Sequence, residues 1–99
     1  MNLRPGQRLQ SVTCATNVIV VRGGDGDIDL RCGGHPMVVV GETFEPQALD
    51  PSFASGTGMG KRFAADELEL LCTKPGEGSL SIGDVVIEPK AAKALPSSD

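Results

Sequence analysis

The chain has no tryptophan and no tyrosine, only three phenylalanines and a single histidine. Without aromatic slabs the core has to come from Val, Leu, Ile and Ala, and a thin core is expected. No run of apolar residues approaches the roughly 18 that a membrane-spanning helix needs. The first stretch, Met1 to Arg8, carries two arginines and a Pro-Gly pair where a leader would have an apolar centre. Neither membrane insertion nor export is expected, and a cytoplasmic location fits best. Positive charge is also short: nine Lys and Arg stand against thirteen Asp and Glu, for a net charge of −4, and the basic residues are scattered. That argues against the clustered phosphate contacts of a nucleic-acid-binding surface.

What the chain does have in quantity is glycine and proline, thirteen and seven in 99 residues. So many turn formers in so short a chain predict short strands and an all-β fold, built as a single compact domain over 1–99. At this length the buried fraction of the surface is modest, which leaves little room for a deep enclosed active site. The three cysteines are an odd number in a chain without an evident leader. Metal binding or core packing is therefore expected ahead of a disulfide framework.

Along the chain, Cys14 to Val21 is rich in β-branched residues, Gly23-Gly24-Asp25-Gly26-Asp27 supplies turn positions, and Ile28 to Cys32 resumes an alternating apolar pattern. This reads as a β-hairpin. After Gly33-Gly34-His35-Pro36-Met37 comes a third short strand, Val38-Val39-Val40. Residues 41–60 hold Pro46, Pro51 and four glycines with no sustained period, and read as a connecting loop with one helical turn. Phe63 to Lys74, a turn at Pro75-Gly76-Glu77-Gly78, and Ser79 to Ile87 then read as a second hairpin. Residues 61–71 are also good helix formers, but the alternation of Leu68, Leu70 and Cys72 favours strand. The two hairpins form a pseudo-repeat, 12–40 and 61–88. Laid on the first, the second places Phe63 on Cys14 and Asp66 on Asn17, and after a one-residue slip Leu80 on Leu30, Ile82 on Cys32 and Gly83 on Gly33. The tail 90–99 is polar.

The segments Cys14-Ala-Thr-Asn17 and Leu30-Arg-Cys32-Gly33-Gly34-His35-Pro36-Met37 resemble the small rubredoxin-like iron module of desulforedoxin, found also at the N-terminus of desulfoferrodoxin-type superoxide reductases. In that family a Cys-x-x-Cys knuckle and a Leu-x-Cys-Cys-Gly-x-Pro-Met return supply four thiolates to iron. The resemblance covers residues 12–40, under a third of the chain. Cys14 and Cys32 match the first cysteine of each pair, whereas Asn17 and Gly33 stand where the second would be. Four-thiolate iron chemistry is therefore not implied here. In the second copy Phe63, Asp66, Ser81 and Ile82 occupy the ligand positions. The resemblance implies tandem desulforedoxin-like hairpins whose metal sites have decayed.

Three readings of Cys14 and Cys32 stand open: buried small hydrophobes, a rebuilt zinc or iron site joined by His35 or Cys72, or a disulfide joining the two. His35, beside Pro36 in a turn, is either solvated or a ligand or partner of a nearby thiol. Gly56 to Arg62 is not a phosphate loop, because three residues rather than four separate Gly56 from Gly60 and Arg62 follows Lys61. Asp25, Asp27 and Asp29 lack the register of a calcium loop. No catalytic constellation is evident. The leading expectation is a non-catalytic accessory or interaction module without a cofactor, paired with a protein partner or with itself through strand edges near Val38–Val40 or Ile82–Ile87. The alternative is a zinc- or iron-binding or electron-transfer protein using Cys14, Cys32, His35 and Cys72.

Overall fold

The computed structural model describes residues 1–24, 26–65 and 67–89; Asp25, Asp66 and the tail 90–99 lie outside the described residues. The fold is all-β. Its strands are β1 (Arg8–Gln10), β2 (Asn17–Arg22), β3 (Leu30–Cys32), β4 (His35–Pro36), β5 (Val38–Val39), β6 (Arg62–Ala65), β7 (Leu68–Lys74), β8 (Leu80–Ile82) and β9 (Val85–Val86). Among the described residues there is no α-helix, only one 3-10 turn at Pro51–Phe53 inside the long connection. Of the helix formers in 61–71, Arg62–Ala65 lie in β6 and 68–71 in β7. There Leu68, Leu70 and Cys72 are buried while Glu69 and Leu71 are half-buried, so a period of two prevails over propensity. Among the described residues no helix is long and apolar enough to cross a membrane.

Two antiparallel sheets result, of order β5-β1-β2-β7-β6 and β4-β3-β8-β9. The hairpins read from the sequence are not the ones that form. β2 turns back on β1 and lies between it and β7, while β3 belongs to the other sheet. The glycine-rich stretch after Arg22 is too long for the two-residue turn that closes a tight hairpin. It pairs with the chain start instead, Asn2 bridging to Asp27 and the N–H of Ile28 donating to the Met1 carbonyl at 2.9 Å. Likewise β7 pairs with β2 and β6, and β8 with β3 and β9. Two of the three acidic residues of that stretch are described and both are ion-paired: Asp27 with the Met1 ammonium, and Asp29 with Arg31 at 2.9 Å.

The pairing registers carry an approximate two-fold relation between the chain halves. Val18 pairs with Cys72 and Val20 with Leu70 about a centre at Ile19 and Leu71; Leu30 pairs with Ile82 and Cys32 with Leu80 about Arg31 and Ser81. Single hydrogen bonds obey the same exchange. Val20 takes the N–H of Gly6 and gives to Gln7, as Cys72 takes that of Gly60 and gives to Lys61; Met37 donates to Leu30 as Ile87 does to Leu80; Gly33 donates to Ser79 as Gly83 does to Asp29. Under this relation Leu30, Cys32 and Gly33 match Leu80, Ile82 and Gly83. Phe63, however, stands opposite Leu70 as Leu9 stands opposite Val18, so its counterpart is Leu9 and not Cys14.

Both sheets contribute to one core, in which Leu9, Val18, Cys32 and Leu70 are fully covered, with Val20, Met37, Phe63, Cys72 and Leu80 around them. β9 is an edge strand whose Val85 and Val86 are exposed.

Candidate functional site

Cys14 sits in the tight turn between β1 and β2, and Cys32 ends β3. Their Sγ atoms are 3.9 Å apart, and both thiols are free. Ser11, at the end of β1, organises the turn. Its Oγ accepts the N–H of Thr13 at 3.0 Å and that of Cys14 at 3.2 Å, and its N–H donates to the Thr16 carbonyl at 2.9 Å. A hydroxyl that captures the next backbone donors in this way is a local turn former. Thr13 Oγ1 then donates to the Cys32 carbonyl at 3.2 Å, tying the turn to β3.

Around Cys14 Sγ lie Ser11 Oγ at 3.5 Å, Thr16 Oγ1 at 3.2 Å and the backbone N–H of Gly78 at 3.3 Å. Burial pushes this half-buried thiol up. The hydroxyls of Ser11 and Thr16 and the backbone N–H groups of Thr16 and Gly78 outweigh that and bring it down to about 6, because each favours the anion. When Cys14 is ionised the Ser11 hydroxyl turns its hydrogen towards the sulfur. Cys32 is the reverse case. It is fully covered, so burial pushes its thiol up to about 12, and the negative charge on Cys14 adds to the effect. The pair thus holds one thiolate, half-exposed, against one thiol, enclosed.

The third wall is the turn between β7 and β8. It approaches so closely that only glycine fits: a Cβ on Gly76 would lie 2.2 Å from Thr16 Oγ1 and 3.0 Å from Cys14 Sγ, and one on Gly78 would lie 2.9 Å from the Gly33 nitrogen and 3.1 Å from Cys32 Sγ. The long connection runs along the outside of these turns. Gln47 donates to Val12, Asp50 to Gly33, and Ser79 to Phe53, while Thr57 and Gly76 exchange both backbone bonds.

Of the residues singled out from the sequence, the structure brings Cys14 and Cys32 together. His35 is half-buried on β4, opposite Cys32 across the Gly33-Gly34 turn. Both of those glycines have positive φ, 67° and 89°, the left-handed pair that a two-residue hairpin turn requires. Cys72 is buried on β7 with Sγ towards the Lys74 carbonyl at 3.2 Å. Burial raises its thiol, a backbone hydrogen bond from Lys74 opposes this, and the charge of Cys14 raises it further. Among the described residues no three His, Cys, Asp or Glu side chains converge as a metal site requires. Gly60 spends its N–H on the Cys72 carbonyl, Thr57 bridges to Gly76, and Arg62 pairs with Glu69 at 2.9 Å, so the Gly56–Arg62 stretch is a turn bonded to its neighbours rather than a phosphate cradle.

Ser11, Thr16, Gly76 and Gly78 were not legible as site residues. The signal was there in part: two glycines flanking one residue in a short turn mark a close approach as readily as a bend. Comparison with family models, with curated proteins and with solved structures gives no match for this chain.

Proposed function

We propose that this protein is a dithiol module that exchanges with the disulfide of a partner molecule, Cys14 attacking and Cys32 resolving. The observation that carries this reading is the pair of free sulfurs in contact at 3.9 Å, one half-exposed and ringed by donors and the other fully covered. Attack needs a thiolate that a partner can reach, and resolution needs a neighbour that reaches the first sulfur and gives up its proton as it attacks, which is easier once Cys14 is in the mixed disulfide and its charge no longer holds that proton. The Cys14 thiolate attacks one sulfur of the partner disulfide, whose S–S bond breaks and whose electron pair leaves on the other sulfur, which takes a proton from water. Cys32 then attacks Cys14 Sγ, the mixed disulfide breaks, and the departing partner thiolate takes the Cys32 proton. The partner is reduced to two thiols while Cys14 and Cys32 become a disulfide. Closure from 3.9 Å to a bond of about 2.05 Å is a movement on the order of 2 Å, within reach of rotation about χ1. The metal reading asks for further ligands, and neither His35 nor Cys72 joins the pair. The accessory-module reading is sharpened rather than dropped, since its partner becomes the bearer of the disulfide.

Incubation with oxidised glutathione followed by a thiol count under denaturing conditions tests this. The expected result is a fall from three free thiols to one, Cys72 remaining. Cys32→Ser is expected to stop at a glutathione adduct on Cys14, and Cys14→Ser to leave Cys32 unreacted. Three thiols persisting after incubation, a bridge involving Cys72, or a stoichiometric zinc or iron that disappears in Cys32→Ser would overturn it.

A further inference from the structure

Among the described residues the Gly78 N–H is the one donor to Cys14 that comes from the other half of the chain, and it belongs to a turn whose glycines leave their peptide planes free to flip. Something must fix the direction of that N–H. Thr57 holds three of the four peptide planes between Pro75 and Ser79. Its carbonyl accepts from the Gly76 N–H at 3.2 Å, its N–H donates to the Gly76 carbonyl at 2.9 Å, and its hydroxyl donates to the Gly78 carbonyl. The fourth plane, between Glu77 and Gly78, is the one whose N–H meets Cys14 Sγ at 3.3 Å. Resting on the reading of Cys14 as the attacking thiolate, we propose that Thr57 is the positioning residue of the site, aiming the Gly78 N–H at Cys14 Sγ.

Thr57 is itself buried and lies in the long connection, so the reactive sulfur is set by three separate parts of the chain: its own turn, the β7–β8 turn and the connection. The two-fold relation supplies an internal contrast. Gly24 stands towards Leu68 as Gly76 stands towards Thr16: a Cβ on Gly24 would meet Leu68 Cβ at 3.7 Å, and the nearest atom is Ile28 Cδ1 at 2.7 Å. The matching end of the molecule is a cavity lined by Ile28, Leu68 and Ile82, with apolar side chains where the thiol site has Gly78, Thr16 and Cys32.

The test is the pH profile of iodoacetamide alkylation at Cys14 in the full chain, with Thr57→Val and Thr57→Ser compared. Valine keeps the shape and both backbone bonds but removes the hydroxyl. It is expected to move the midpoint upward by about one pH unit, the scale of one hydrogen bond to a charged group. Serine restores the hydroxyl and is expected to return the midpoint to that of the unmodified protein. A folded Thr57→Val protein, checked by its circular dichroism spectrum, with an unchanged midpoint overturns the assignment, as does Thr57→Ser behaving like Thr57→Val. Because the profile is read on single alkylation and not on disulfide formation, a dithiol that fails to close and a Thr57 that fails to position give different results.

Discussion

Gly76→Ala is expected to lower the stability of the protein by about 3 kcal/mol and to take the reactivity of Cys14 with it. Gly76 has no positive φ, so the effect is steric. The added Cβ would fall 2.2 Å from Thr16 Oγ1 and 2.6 Å from the Thr16 backbone nitrogen. The hydroxyl can rotate but the backbone cannot, and the β7–β8 turn must lift off the β1–β2 turn. Lifting it withdraws the Gly78 N–H from Cys14 and breaks the exchange with Thr57. Urea denaturation reads the first effect and alkylation at neutral pH the second. Gly24→Ala at the matching end is the control. Its Cβ meets the far end of the Ile28 side chain at 2.7 Å, which can turn aside, so a loss below about 1 kcal/mol is expected. Equal losses at the two positions would mean that the close approach at Gly76 has no special place in the structure.

The second large effect is on pH. The alkylation rate of Cys14 is expected to rise tenfold per unit up to about pH 6 and to be level through neutrality, whereas an ordinary thiol of 9.0 is still climbing there. Stability follows with a defined sign. The Cys14 value is depressed on folding, so its contribution is fully present above about pH 9 and is lost as pH falls through 9 towards 6. The Cys32 value is raised to about 12, so its contribution is present below pH 9 and is lost as pH rises from 9 towards 12; Cys72, also raised, acts in the same direction. The thiols together predict a stability maximum near pH 9. Denaturation midpoints measured from pH 6 to 11 check this. Cys14→Ser is expected to remove the thiol-dependent rise on the acid side, and Cys32→Ala to weaken the fall on the alkaline side. A Cys14→Ser protein that keeps the same rise between pH 6 and 9 would show that Cys14 carries no charge-dependent stabilisation.

The strands were legible because each carries its own pattern. Val18 and Val20, or Leu68, Leu70 and Cys72, bury alternate side chains, and that period is written in a few adjacent residues. The pairing was not legible, since which strands meet depends on contacts about fifty positions apart that leave no local mark. Hence β2 and β3, read as one hairpin, lie in different sheets. The site was half legible for the same reason. Cys14 and Cys32 announce themselves as residue types, and Gly33-Gly34 as a turn. Ser11 and Thr16 look like any polar turn residues until the sulfur beside them is seen. Gly76 and Gly78 act from far along the chain through backbone groups that every sequence possesses, and Thr57 adds to its own backbone bonds a single hydroxyl that looks like any other.

The separation between Cys14 and the Gly78 N–H, 64 positions along the chain, also orders events during synthesis. While the first half of the chain is emerging from the ribosome, Cys14 and Cys32 are two ordinary protonated thiols, slow towards oxidants at neutral pH. Ser11 and Thr16 lie beside Cys14 in the sequence, but the fourth donor to the anion, the Gly78 N–H, arrives only with the last quarter of the described chain, and it binds only once β7 has paired with β2 and β8 with β3. The full depression of the Cys14 thiol is thereby expected only once both halves of the chain have folded together, and a nascent chain is expected to be less prone to premature cross-linking.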